Sequence, residues 1–167
     1  MKKNKIKDTG LEVTELSFGT SSLGSMPDTY GYEVPEDRAQ KTLNRFFQGP
    51  VNMLDTSRNY AMGESEKRIG NAIKENGGWP KDFLLSTKLD RNMDTLVLDK
   101  NRARESFEES LKTLNVDSVD ILFLHDPEYA KDLSDITKKD GAMDELFKIK
   151  EEGLAKAVGI AMGKIDI

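Results

Sequence analysis

Apolar and polar positions follow two alternating patterns along this chain of 167 residues. Short apolar runs typical of strands occupy residues 51–54, 84–87, 120–124 and 157–161. Between them, apolar residues recur three or four positions apart, as on the buried face of a helix. Strands that alternate with helices predict a parallel sheet joined by right-handed crossovers.

The N-terminal segment, residues 6–23, has an extended pattern instead. Asp8-Thr9-Gly10 is typical of a hairpin turn, and residues 13–18 alternate as a strand that ends at Gly19. With the four later runs, this strand brings the predicted parallel sheet to about five strands. The turn before it predicts an N-terminal β-hairpin.

Four helices are predicted between the strands. The first begins at Pro35 and ends at Gly49-Pro50, the second covers residues 64–76, the third is capped by Asp99, and the fourth lies near residues 141–152. In the fourth helix, Met143, Leu146 and Phe147 are predicted to share the buried face.

Five strands and four helices fit an α/β fold that is a partial (β/α)₈ TIM barrel, since a complete barrel typically needs about 250 residues. An open doubly wound sheet is the alternative, and it fits the length better. Against it, the segment after the first strand, Gly19-Thr20-Ser21-Ser22-Leu23-Gly24, lacks the glycine spacing of a dinucleotide-binding turn. We expect residues 1–167 to form one domain.

Composition narrows the functional classes. A formal net charge of -5 argues against a nucleic-acid or membrane-surface partner, and no run approaches the roughly 20 apolar residues of a membrane span. The N-terminal lysines are not followed by the apolar region of a secretory signal, so we expect a cytoplasmic protein. The absence of cysteine excludes thiolate chemistry, and a single histidine makes a metal site improbable.

Polar side chains follow three of the apolar runs directly. Asp55 comes at the end of the first run with Tyr60 five residues later, Lys88 ends the second, and His125 ends the third. The carboxyl ends of parallel barrel strands are where such folds carry catalytic residues. Each residue alone also fits a structural role; for example, Lys88 followed by Asp90 and Arg91 fits plain surface charge. Their joint placement predicts an enzyme.

The same residues resemble the aldo-keto reductase family from about residue 13 to residue 160. In that family a strand ends in Asp-Thr-Ala or Asp-Thr-Ser, a tyrosine follows five residues later, and Ser-Glu opens the next helix. The matching segments here are Leu54-Asp55-Thr56-Ser57-Arg58-Asn59-Tyr60, then Ser65-Glu66, Ser86-Thr87-Lys88 and Leu122-Phe123-Leu124-His125. His125-Asp126-Pro127-Glu128 is most similar to the sugar-oxidising branch, the aldose and fucose or galactose dehydrogenases.

The resemblance implies hydride transfer between NADP(H), or NAD(H), and a carbonyl or sugar substrate. It implies Tyr60 as the proton donor in reduction and the base in oxidation, with Lys88 lowering the tyrosine pKa. Asp55 would hold Lys88 in position, and His125 would hydrogen-bond the carbonyl oxygen. It also implies cofactor contacts from Gly19, Thr20 and Asp55.

The chain departs from the family pattern in two places. Residues 159–163, Gly-Ile-Ala-Met-Gly, stand where many members carry a serine and an asparagine that contact the nicotinamide. The later strands, whose loops bind the rest of the nucleotide in the family, are absent from the sequence. We therefore expect impaired activity, and self-association through exposed strand edges.

Two other functions stay open at this point. The chain could be a non-catalytic interaction or cofactor-sensing module, as the potassium-channel beta subunits among the family's relatives are. It could also be a Schiff-base lyase in which Lys88, at a barrel strand end, is the nucleophile.

Overall fold

A computed structural model describes residues 1–164 of the chain. An antiparallel hairpin of β1 (Lys3–Lys5) and β2 (Glu12–Thr14) precedes a parallel sheet whose five strands lie side by side in chain order. The sheet strands are β3 (Phe18–Gly19), β4 (Met53–Asp55), β5 (Leu84–Leu89), β6 (Val119–His125) and β7 (Ala155–Ala161). The prediction of five parallel strands with an N-terminal hairpin is confirmed.

Helices connect successive strands of the sheet. They are α1 (Pro27–Tyr30), α2 (Glu36–Phe47), α3 (Glu64–Glu75), α4 (Lys100–Leu114), α5 (Ser134–Thr137) and α6 (Ala142–Glu151). The four long ones, α2, α3, α4 and α6, match the predicted helices to within about two residues at each end. Asp99 caps α4 as expected, because its side chain accepts a hydrogen bond from the backbone N–H of Arg102 at 2.8 Å.

The strand order identifies the architecture. Right-handed crossovers between strands that keep their chain order put every connecting helix on the same face of the sheet. A doubly wound sheet needs a point where the strand order reverses, so that helices cover both faces. The described strands contain no such reversal, and the sheet is therefore part of a barrel wall rather than an open doubly wound sheet.

Two apolar clusters lie on the two faces of the sheet. The larger one lies between sheet and helices, and Leu43, Ile69, Phe107 and Leu122 are fully buried in it. On the other face, Leu11 after the hairpin turn packs with residues near the N-terminal ends of the strands: Leu84, Ile121 and Ala157. The hairpin segment thus covers the N-terminal end of the barrel interior, and the C-terminal end is left for polar side chains.

Two details of the sequence prediction are wrong. The strand expected over residues 13–18 is broken, because the Thr14 hydroxyl donates to the carbonyl of Leu16 at 2.7 Å and the chain bends there. In α6, Phe147 is 51% exposed, whereas Ala142, Leu146 and Ile149 form the buried stripe. Their spacing of four and then three residues is the one that a helix presents to a sheet.

Candidate active site

The C-terminal ends of three neighbouring strands carry the predicted site residues. Asp55 is the last residue of β4, Lys88 the last but one of β5, and His125 the last of β6. Since β4, β5 and β6 are adjacent and parallel, their carboxyl ends meet at one edge of the sheet. The structure therefore brings these three side chains together, as the sequence predicts.

Lys88 and Asp55 form a buried ion pair with additional partners. The Nζ atom of Lys88 lies 2.8 Å from Oδ2 of Asp55 and donates a second hydrogen bond to the carbonyl of Thr56 at 2.7 Å. The other carboxylate oxygen of Asp55 accepts from the hydroxyl of Ser86 at 2.8 Å. Only 5% of the Lys88 side chain is exposed. A charge buried this deeply needs such partners, and they fix the ammonium group in one place.

A left-handed turn brings Tyr60 next to this pair. The three residues after it, Ala61, Met62 and Gly63, have φ angles of 51°, 55° and 92°. The φ of Gly63 lies in a region that residues with a side chain rarely adopt, so this position of the turn favours glycine. The result is that Nζ of Lys88 lies 4.8 Å from the centre of the Tyr60 ring.

The environment of Tyr60 raises the pKa of its hydroxyl above the usual value. Burial is the largest cause, and the charges of Asp55 and Asp90 act in the same direction. The charge and hydrogen bond of Lys88 lower the pKa of Tyr60, as expected, but they do not outweigh burial. The expected lowering by Lys88 is therefore present, but the net shift of the Tyr60 pKa is upward, and Tyr60 keeps its proton near neutral pH.

The fourth residue, His125, lies against Tyr60. The two rings are edge-to-face, with centroids 5.8 Å apart and an interplanar angle of 82°. Nδ1 of His125 is 2.5 Å from Oδ1 of Asp90 and 3.2 Å from the hydroxyl of Ser57. Nε2 lies on the other side, 3.8 Å from Oδ2 of Asp126.

Sequence reasoning missed Asp90 and Ser57 as parts of this site. Asp90 fits surface charge in the sequence, yet only 1% of its side chain is exposed. Its position could have signalled the role, because it directly follows β5 at the edge where Asp55 and His125 end their strands. In the sequence, Ser57 stands out only as part of the Asp55-Thr56-Ser57 motif.

The contacts of Ser57, His125 and Asp90 are not those of a hydrolytic triad. In such a triad the serine binds one imidazole nitrogen and the carboxylate binds the other. Here both Ser57 and Asp90 lie at Nδ1 of His125. The serine hydroxyl also donates to Asp90 at 2.7 Å, so Nε2 of His125 has no serine to activate.

Gly19 and Thr20 lie beside Asp55 at the edge of the sheet. Gly19 ends β3 and pairs in register with Asp55, and a side chain at this position would meet nothing within 4 Å. Thr20 is fully buried, and both its backbone N–H and its hydroxyl donate to the carbonyl of Asp55, at 3.1 and 2.9 Å. Thr20 thus fixes the Asp55 backbone, whereas the space beside Gly19 is open. Their roles toward a cofactor stay predictions.

Glu66 is a further ionisable group behind the site. It is completely buried in α3, and the hydroxyl of Thr87, the neighbour of Lys88, donates to its Oε1 at 2.6 Å. Burial raises the pKa of Glu66 from its usual 4.5 to about 7. Its charge therefore changes near neutral pH.

Three kinds of feature are absent from the described residues: polar side chains at the end of β7, a membrane-spanning helix and a cluster of metal ligands. The last three residues of β7, Gly159, Ile160 and Ala161, bring no polar side chain to this edge. Across residues 1–164, no helix is long and apolar enough to cross a membrane. Over the same range, no three histidine or carboxylate side chains are grouped as metal ligands.

The chain is similar to a known protein family and to several proteins within it. The model of the Aldo/keto reductase family matches residues 15–167. L-galactose dehydrogenase of Arabidopsis thaliana is 36% identical over 160 residues, which cover 96% of this chain and 48% of that protein. D-threo-aldose 1-dehydrogenase of a Pseudomonas species is 30% identical, with 90% of this chain and 50% of that protein covered.

A solved structure has the same architecture. The aldo-keto reductase AKR11C1 from Bacillus halodurans, in its holo form, superposes with a TM-score of 0.77 at 26% sequence identity. The superposition covers 97% of this chain and 50% of that one. The chain thus spans about half the length of the relatives that it matches.

Proposed function

The chain belongs to the aldo/keto reductase family, and on that premise we propose that its site transfers a hydride between NADP(H), or NAD(H), and a carbonyl or sugar substrate. The observation that carries the proposal is the position of the Lys88 ammonium group. Its Nζ atom lies 2.8 Å from Oδ2 of Asp55 and 4.8 Å from the centre of the Tyr60 ring, over the face of that ring. A cation fixed beside a tyrosine favours the phenolate that remains when the hydroxyl gives up its proton.

Each residue has a distinct role in this proposal. In reduction, the Tyr60 hydroxyl gives its proton to the substrate oxygen, and Lys88 stabilises the phenolate that forms. Asp55 and the carbonyl of Thr56 hold Lys88 in place through two hydrogen bonds. His125 hydrogen-bonds the substrate oxygen and so orients it. When bound, the nicotinamide supplies or accepts the hydride.

The described residues fit the reacting end of a nicotinamide cofactor. Gly19 pairs in register with Asp55 and has open space where a side chain would begin, and we propose that a flat ring lies there beside the ion pair. The end of β7 carries no polar side chain to bind the carboxamide of the nicotinamide. Residues at the ends of β3 and β4 would therefore position the nicotinamide ring. Among residues 1–164 we assign no group to the nucleotide phosphates.

The length of the chain affects the turnover that we expect from this site. The relatives that it matches are about twice as long. We propose that residues 1–167 form one domain that assembles the proton-transfer residues, and that its turnover is impaired when no further barrel strands accompany it. A cytoplasmic location stays a prediction.

The substrate class follows from the relatives' names. Two curated relatives are an L-galactose dehydrogenase and a D-threo-aldose 1-dehydrogenase, and both names indicate the oxidation of a sugar. We propose an aldose, or a related hydroxy-carbonyl compound, as the substrate of this site.

Two alternatives can be separated from this proposal. A Schiff-base lyase needs a free amine, but the two hydrogen bonds of Lys88 and its 5% exposure favour a fixed ammonium. Borohydride reduction with an aldose should therefore leave no adduct on Lys88. The other alternative is a non-catalytic, cofactor-sensing module. Such a module would bind nucleotide without any turnover.

The experiment that tests the cofactor class is a titration with NADPH that follows the fluorescence of the nucleotide. The wild-type chain should bind saturably, and Gly19→Val should weaken binding at least about tenfold because it fills the space before Asp55. Leu16→Val, a change at an exposed position, is the control and should leave binding unchanged. No binding up to millimolar NADPH would overturn the assignment of the cofactor site to this chain.

A further inference from the structure

Arg91 is a partly buried cation for which the described residues supply no acidic partner. The other arginines that are partly or fully buried each form an ion pair with a glutamate; these are Arg58, Arg68, Arg102 and Arg104. For Arg91, no carboxylate oxygen of residues 1–164 lies within 4.0 Å of a guanidinium nitrogen. Its Nε atom is buried and has no hydrogen-bond partner in the same range. Because an unpaired charge is costly to bury, a bound anion would stabilise this guanidinium.

The fold places Arg91 at the rim of the candidate active site. It lies two residues after β5, at the edge of the sheet where the site residues meet. Its backbone carbonyl accepts a hydrogen bond from Nδ2 of Asn59, the residue before Tyr60, at 3.3 Å. Its guanidinium carbon lies 5.4 Å from the centre of the Tyr129 ring, in the loop that follows β6. Arg91 therefore lies between the turn that carries Tyr60 and the loop after the histidine strand.

Lys164 is a second cation at the same tyrosine. Its Nζ atom lies 4.7 Å from the centre of the Tyr129 ring, and no carboxylate oxygen of residues 1–164 lies within 4.0 Å of it. Glu128 fixes the backbone that carries this lysine, because its Oε1 accepts from the N–H groups of Gly163 and Lys164 at 2.6 and 3.1 Å. The Tyr129 ring is 44% exposed, so solvent and solutes can reach this place. Two positive charges thus converge on one accessible aromatic ring.

Two carboxylates of the loop after β6 lie nearby, but each has another partner. Glu128 accepts from the two backbone N–H groups, and Oδ2 of Asp126 lies 3.8 Å from Nε2 of His125. Neither of them pairs with the two cations. The described chain therefore leaves the counter-charge of Arg91 and Lys164 to a ligand.

We infer that Arg91 and Lys164 form a subsite for an acid group of the substrate, a carboxylate or a phosphate, at the end remote from the reacting carbon. A guanidinium binds the two oxygens of such a group with paired hydrogen bonds, and an ammonium adds a point charge. The inference rests on the proposed function and specifies its substrate class, an aldose that carries an acid group. A neutral aldose would leave both cations without a counter-charge.

The test compares a neutral sugar with the acid of the same configuration. L-galactose and L-galacturonate are titrated against the wild-type chain and followed by ligand-detected NMR, without nucleotide, so that no hydride can be transferred. We expect the chain to bind L-galacturonate at least about tenfold more tightly than L-galactose at low salt. The difference should shrink at high salt, because salt screens the charges of an accessible site. Equal affinity for the two sugars, or no binding of L-galacturonate, would overturn the inference.

The double variant Arg91→Gln/Lys164→Gln should abolish the difference between the two sugars. Its affinity for L-galacturonate should fall at least about tenfold, while its affinity for L-galactose is unchanged. The matched control is Arg45→Gln/Lys81→Gln, which removes the same two charges at exposed positions in α2 and before β5. This control should keep the wild-type difference. A similar loss in both double variants would mean that net charge, rather than this subsite, attracts the acid.

Two further measurements keep the test decisive. If Arg91→Gln does not fold, Lys164→Gln at its exposed position should still weaken the binding of L-galacturonate alone. NADPH affinity, measured in parallel, should be the same in the double variant and the wild type. A loss that falls on NADPH rather than on L-galacturonate would assign the two cations to the nucleotide phosphates and overturn the inference.

The inference and the proposed function can fail separately. Selective binding of L-galacturonate without any hydride transfer would support the subsite while the proposed reaction fails. Turnover of L-galactose by a chain that does not distinguish the two sugars in binding would support the reaction and refute the subsite.

Discussion

At the scale of single residues, Glu66 is the side chain whose ionisation the fold alters most clearly. It is completely buried, and the pKa of its carboxyl group is raised from 4.5 to about 7. The folded state therefore keeps a proton that the unfolded chain releases above pH 4.5. The stability tied to Glu66 is fully present below about pH 4.5 and is lost as the pH rises through about 7.

This gives a prediction for Glu66→Gln. The neutral amide keeps an acceptor for the Thr87 hydroxyl but cannot ionise, so its stability should not fall over this pH range. The free energy of unfolding, measured by urea denaturation, should match the wild type near pH 4.5. At pH 8 it should exceed the wild type by up to about 3 kcal/mol.

Glu64→Gln is the matched control, because Glu64 lies in the same helix with its side chain one-third exposed. The free energy of unfolding of Glu64→Gln should change with pH in the same way as that of the wild type. If the free energies of unfolding of Glu66→Gln and the wild type change with pH in parallel, Glu66 does not change its charge in this range.

Some residues of the site can be located from the sequence, and others cannot. Asp55, Lys88 and His125 could be placed because each ends an apolar run, and runs of this kind become neighbouring strands. Asp90 could have been placed at the same edge, because it directly follows β5, but its burial against His125 could not be inferred, since its sequence neighbour Arg91 makes it resemble surface charge. The net sign of the Tyr60 pKa shift could not be predicted for the same reason, since burial cannot be inferred from spacing.

At the scale of elements, the packing of α3 on α4 depends on one glycine. Gly70 in α3 faces the C-terminal end of α4, and a side-chain carbon there would lie 2.1 Å from the carbonyl oxygen of Thr113. The two backbones cannot separate without moving buried residues of the core. Gly70→Ala should therefore lower the free energy of unfolding by about 1–3 kcal/mol, as measured by urea denaturation.

Gly19→Ala is the control for this change. A methyl group at Gly19 would meet no atom within 4 Å, and its backbone conformation is open to any residue. Its stability should match the wild type. Equal stability of the Gly70 and Gly19 variants would show that the two helices tolerate a wider separation.

The elements themselves could be predicted well from the sequence. The glycine and proline stops and the Asp99 cap are local signals, and they locate the four long helices. The exposed Phe147 in α6 was misplaced, because two overlapping helical stripes fit that segment and only the packed sheet selects one of them. The bend after Thr14 was missed because a hydrogen bond from its own side chain ends the strand.

At the scale of the whole molecule, β7 presents an open edge. It pairs with β6 on one side, and the described residues contain no strand on its other side. Unpaired backbone groups along seven residues are a template for another chain. We predict that the purified protein associates with itself at rising concentration, as light scattering after size-exclusion chromatography would measure.

A charge on this edge should weaken the association. Ile160 in β7 is 48% exposed, so Ile160→Lys places a lysine at the edge without filling the core. Met62→Lys makes a similar change at a 75% exposed position in the turn after Tyr60 and should leave the association unchanged. A monomer at all concentrations in the wild type would contradict the prediction.

The central claim is that Tyr60 exchanges a proton with a substrate beside a nicotinamide, and one measurement tests it most directly. It compares hydride transfer between NADP(H) and an aldose by wild type and Tyr60→Phe, with the protein in the form that its gene expresses. Tyr32→Phe, at an exposed tyrosine, is the control. We predict that turnover falls at least about 100-fold in Tyr60→Phe while NADPH affinity is unchanged. Full turnover in that variant, or none in the wild type, would contradict the account.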